Sequence, residues 1–100
     1  VRVIALADRL VDQRRFAIAD QLVRSSLSVA SNMAEGEGRR GERDRQRFLF
    51  LARGSLYELE TQVEVLLRAG LANDVADLVK SMARINAGIT KMIKYRAITA

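Results

Sequence analysis

The sequence predicts an all-α fold of four helices, and three observations carry that reading. Proline is absent from the 100 residues, so no ring forces a break within a helix. Apolar residues recur at alternating three- and four-residue steps through three long stretches, the spacing that holds one stripe of a helix against a neighbour. Gly36, Gly38 and Gly70 fall at the ends of those stretches, where helices stop. Hydrophobic residues make up 49% of the chain and aromatics 5%. The core is therefore aliphatic, built from Leu, Val, Ile, Ala and Met. A chain of this size is expected to form a single domain over residues 1–100 and to bury roughly 65% of its unfolded surface. That leaves little margin, and self-association is expected.

The first helix is predicted to be short, about Val3 to Val11. No glycine or proline interrupts Arg2 to Leu27, so the break is placed near Asp12 to Arg15, with one continuous helix as the alternative. In the second helix Ala19, Leu22, Ser26, Val29 and Met33 form the stripe, and its small residues imply close packing. The third runs from about Glu42 to Ala69 on Leu49, Ala52, Leu56, Leu59, Val63 and Leu66, with Gly70 closing it. It carries a second apolar set, Phe48, Phe50, Leu51, Tyr57, Val65 and Leu67. A helix apolar on two faces has two neighbours, one of them another helix of the chain and the other a second subunit. Gly54 and Ser55 lie inside it, and a mid-helix glycine costs ~1 kcal/mol relative to alanine. Close approach of another helix backbone is the expected compensation. The fourth helix is placed at about Asn73 to Ala97 on Val75, Leu78, Met82, Ile85, Ile89 and Met92, with Asn73 or Asp74 as N-cap.

The chain has no cysteine and no histidine. Disulfides, thiolate nucleophiles, imidazole bases and the usual zinc sites are thereby excluded. Ser25, Ser26 and Ser31 have no histidine to activate them. Glu58, Glu60, Glu64, Asp74 and Asp77 lack the Glu-x-x-His pairs of di-iron bundles, and read as a solvated or subunit-facing acidic surface. No catalytic residue, metal or cofactor is expected. No apolar run reaches the ~18 residues that suggest a membrane helix, and no leader pattern opens the chain. Cytoplasmic residence without membrane attachment is expected.

Formal net charge is +5, which favours an anionic partner. Gly38 to Arg53 holds six arginines against Glu42 and Asp44, and Lys80 to the end holds Lys80, Arg84, Lys91, Lys94 and Arg96 with no acid. Gly54 to Val79 between them carries five acids and Arg68. Such segregation suits head-to-tail assembly or a basic face turned to a polyanion. The candidate phosphate-contacting residues are Arg39, Arg40, Arg43, Arg45 and Arg47 at the hairpin tip, with Lys91, Lys94 and Arg96 near the C-terminus. The alternative for the tip is that Glu35, Glu42 and Asp44 neutralise it. Aromatics are sparse beside these cations, so binding would be to phosphates, salt-sensitive and weakly sequence-specific.

Asn32, Glu35 and Gly36, in the hexapeptide SNMAEG at Ser31 to Gly36, read as structural. Asn32 and Glu35 are expected to satisfy helix ends and arginines such as Arg53, and Gly36 to take a left-handed cap. With Gln21, Arg24 and ARGSLYELETQ at Ala52 to Gln62, which includes Arg53, Gly54 and Ser55, this motif resembles a known family. It is that of the 23S rRNA intervening-sequence proteins, related to the accessory variability determinants of diversity-generating retroelements. The resemblance covers about Phe16 to Leu71. It implies an antiparallel up-down four-helix bundle, here with a shortened first helix, that assembles as a homopentamer. It also implies a basic surface engaging nucleic acid and, in the retroelement branch, a reverse transcriptase. The chain departs from the family in its short first helix and in lacking a Phe-Pro element before the second. A trimmed N-terminus or a shortened variant is expected from these two departures, and the initial Val in place of Met suggests a fragment. The leading expectation is a non-enzymatic, oligomeric, nucleic-acid-binding accessory protein with RNA or DNA as partner. The rival is a protein-interaction scaffold that docks an enzyme such as a reverse transcriptase.

Overall fold

A computed structural model describes residues 2–99, with side chains through Tyr95. Four helices follow one another: α1 (Arg2–Asp12), α2 (Phe16–Glu37), α3 (Glu42–Arg68) and α4 (Ala76–Thr99). Consecutive helices pack side by side through short connections, which makes an antiparallel up-down bundle of 47 × 20 × 17 Å. No strand occurs among the described residues.

The break after α1 falls at Gln13 to Arg15, where Arg14 adopts a left-handed backbone at φ 60°. Arg15 N–H donates back to the Leu10 carbonyl, so the chain reverses tightly. At the far end of α3, Gly70 takes φ 73° and Leu71 N–H donates to the Leu66 carbonyl. The glycine supplies the positive φ that closes the helix.

Leu49, Ala52, Leu56, Leu59, Val63 and Leu66 are all buried, as their spacing predicts. They meet Val3, Leu6 and Leu10 of α1, Leu22 and Val29 of α2, and Met82 and Ile89 of α4 in one core. Each Leu, Val, Ile or Met side chain among them contributes about 1.5–3 kcal/mol on full burial. α3 ends at Arg68, two residues past the last member of that stripe, and Gly70 follows.

Two arginines of α1 hold the start of α4. The Arg2 guanidinium donates to the Asp77 carbonyl and to Ser81 Oγ. Arg9 reaches both oxygens of Asp74 at 2.7 and 2.9 Å. Asp74 is therefore not an N-cap, and α4 starts at Ala76, three residues later than expected. The Val75 carbonyl accepts the first helical bond, from Val79. Those bonds to Arg9 hold the Asp74 carboxyl below its ordinary value, with a backbone bond at Asp74 and the Arg9 charge adding to the effect.

The fourth helix departs from its expected seam at Ile85 and at Met92. Ile85 is 43% exposed, while Ile93 is buried. An open groove of about 630 Å³ lies between α2 and α4. Ile85 and Met92 face that groove. A straight helix also drifts from a strict seven-residue seam, which brings Ile93 inward.

Two glycines depart from their expected roles. Gly36 is not a left-handed cap. It lies inside α2 and is buried, and a Cβ built on it would stand 3.1 Å from the Phe48 Cβ of α3. This is the close approach expected of Gly54. Gly54 is exposed, with nothing within 4 Å of the corresponding position, so no helix of this chain makes the expected close approach there.

Candidate nucleic-acid interface

Polar contacts between α2 and α3 set the frame. Ser28 and Ser55 hydroxyls share a hydrogen bond of 2.7 Å, and Asn32 Nδ2 donates back to the Ser28 carbonyl and hydroxyl. Gln62 Nε2 donates to the buried Ser25 hydroxyl at 3.0 Å. Arg53 and Gln46 then tie α3 to α4, through Thr90 Oγ1 and the Ile93 carbonyl. These contacts give Asn32, Ser55 and Arg53 structural partners. Glu35 pairs with Arg39, not with Arg53.

The hairpin tip gathers its arginines and neutralises most of them. Arg39 lies 3.1 Å from Glu35 and 3.6 Å from Asp44. Arg45 pairs with Glu42 at 2.9 Å, and its Nε donates to the Arg39 carbonyl. Arg47 meets Asp44 at 3.2 Å. The guanidinium groups of Arg39 and Arg47 also stand over the Phe48 ring, 4.8 and 4.6 Å from its centroid. Glu42 and Asp44 occupy the first turn of α3, where a carboxylate complements the helix dipole and competes with any phosphate. Only Arg40 and Arg43 are exposed and without an ion pair or hydrogen bond among the described residues.

The outer face of α4 is different. Lys80, Arg84, Lys91 and Lys94 follow a 4-7-3 spacing. At 3.6 residues per turn this confines them to an arc of about 80° and a row about 21 Å long. The row lies opposite the buried Leu78, Met82 and Ile89. All four are exposed and none has an ion pair among the described residues. The first turn of α4 holds one acid, Asp77. Glu60 and Glu64 of α3 line the same open groove of about 780 Å³ as Lys91 and Lys94. Glu64 is already held by Arg68 at 2.9 Å.

Of the residues predicted from sequence, the five tip arginines do come together, and Lys91 and Lys94 lie at the same end of the bundle, near the Gln46–Ile93 contact. The Arg96 side chain lies outside the described residues. Lys80 and Arg84 were not among the candidates. Their signal was present in the helical register, which places them in line with Lys91.

A small antiparallel helical bundle with one unneutralised basic helix face is the class that fold and surface define. No helix among the described residues is long and apolar enough to cross a membrane. Over residues 1–94 the chain matches the family described as 23S rRNA-intervening sequence protein, and it belongs to that family. No curated protein and no solved structure matches it.

Proposed function

We propose that this chain is a non-enzymatic, self-associating accessory protein of the cytoplasm that binds nucleic acid through phosphate contacts. The observation that carries the reading is the unpaired cation row on α4. Phosphate neutralisation by such a row releases counterions and supplies sequence-independent affinity. Arg40 and Arg43 add two further cations at the same end. Self-association draws on the outer face of α3, where Phe50, Leu51, Tyr57 and Val65 are 44–59% exposed. Gly54 lies among them and lets a neighbouring helix come close. Five copies, the number implied by the family resemblance, would multiply the avidity of each row.

Retention of RNA or DNA at low ionic strength, lost steeply on adding salt, is the expected result with purified protein. Protein that passes through a polyanion column at low salt sinks this reading. Light scattering that gives 11.2 kDa at micromolar concentration sinks the self-association. The same apolar face of α3 supports a second reading, a scaffold that docks an enzyme such as the reverse transcriptase of a diversity-generating retroelement. A protein partner that co-purifies after nuclease treatment favours that second reading.

A further inference from the structure

The cation row on α4 is divided. Lys80 and Arg84 form one pair, Lys91 and Lys94 another, and the seven-residue interval between them carries Ala87 and Gly88 on or beside the same face. Both are exposed, and a Cβ on Gly88 would meet nothing within 4 Å. The pair centres stand about 16 Å apart along the axis at 1.5 Å per residue. A B-form major groove is about 12 Å wide, and the phosphates on its two edges stand a few ångström further apart. The minor groove of A-form RNA is likewise wide, and shallow. A single strand offers no fixed phosphate spacing and is usually held by bases stacked on aromatic rings. No aromatic side chain lies between the two pairs, and Tyr95 follows only after Lys94.

We propose that α4 lies across a groove of a double-stranded nucleic acid, with Lys80 and Arg84 on the phosphates of one edge and Lys91 and Lys94 on those of the other. This rests on the nucleic-acid reading above and names its ligand class. The small residues at the centre let the helix sit low between the edges. Contacts go to backbone and not to base edges, so sequence preference is weak. Glu60, on the α3 wall beside this face, biases the duplex toward the outer side of α4.

The test is fluorescence anisotropy with three labelled probes of mixed sequence and matched phosphate number: duplex DNA, duplex RNA and an unstructured single strand. At low salt either duplex is expected to bind at least tenfold more tightly than the single strand. Lys80→Ala with Arg84→Ala, and Lys91→Ala with Lys94→Ala, should each lower duplex affinity by a similar factor. Each should reduce the slope of log affinity against log salt by about 1.4–1.8, two phosphates' worth. Ala87→Glu should weaken duplex binding although it removes no cation. These positions are exposed, and unchanged circular dichroism verifies folding. Equal or tighter binding of the single strand overturns the duplex inference and leaves phosphate binding standing. So does a loss confined to one pair. No binding to any probe overturns the functional reading itself.

Discussion

The hairpin tip and the outer face of α4 carry similar amounts of positive charge and present it very differently. At the tip, Arg39, Arg45 and Arg47 each have a carboxylate within 3.2 Å, and two of them stack on Phe48. On α4 four cations share one face with no ion pair among the described residues. A distant phosphate feels net charge, so the paired tip offers little beyond Arg40 and Arg43. On charge pairing alone, the shorter row of cations on α4 is the better candidate for a polyanion surface than the run of arginines at the tip. The tip arginines look instead like a clamp on the α2–α3 connection.

The largest expected effect separates the two regions. Replacing Lys80, Arg84, Lys91 and Lys94 together by Ala should cut polyanion affinity at least a hundredfold at low salt. It should also flatten the salt slope by about 3. Helical circular dichroism should hardly change, because all four side chains point outward.

Next come the two glycines, which test whether the tip is a packed junction. Gly36→Val should destabilise the chain by about 1–3 kcal/mol, since its side chain must displace Phe48. Gly54→Ala should raise the stability of the isolated chain by about 0.5–1 kcal/mol, because the site is open and alanine favours helix. If α3 is the subunit contact, Gly54→Ala should weaken association at the same time. Urea midpoints and light scattering check both.

A smaller effect is expected of Arg39→Ala. It removes exposed ion pairs and one ring contact, about 0.5–1 kcal/mol of stability in all, with little change in polyanion affinity. The smallest concerns Asp74. Its folded carboxyl is held below the ordinary value of 3.8, so its contribution is present above that value and is lost as pH falls through the folded one. Asp74→Asn should therefore shift the urea midpoint slightly at pH 7 and leave it unchanged once the parent's carboxylate is protonated.

Much of this architecture is legible in the sequence because it depends on local rules. The six-residue apolar stripe of α3 is buried throughout, and Gly70 closes the helix with a positive φ. The pairings at the tip were also legible, since Glu35–Arg39, Glu42–Arg45 and Asp44–Arg47 stand at helical spacings of three or four. The rest depends on distant parts of the chain. Asp74 looks like a cap until Arg9, 65 residues away, is placed beside it. Which glycine is crowded is decided by where Phe48 arrives. Ile85 fits the seam, yet it lines the open groove between α2 and α4.

The most direct test of the central claim compares two double variants, Lys91→Ala/Lys94→Ala and Arg40→Ala/Arg43→Ala, which remove the same formal charge from one end of the bundle. Duplex affinity is titrated for each across a salt series by anisotropy. The account predicts at least a tenfold loss and a flatter salt slope for the α4 variant, and a change of threefold or less for the tip variant. The reverse order, with the tip variant losing binding and the α4 variant retaining it, would contradict the account.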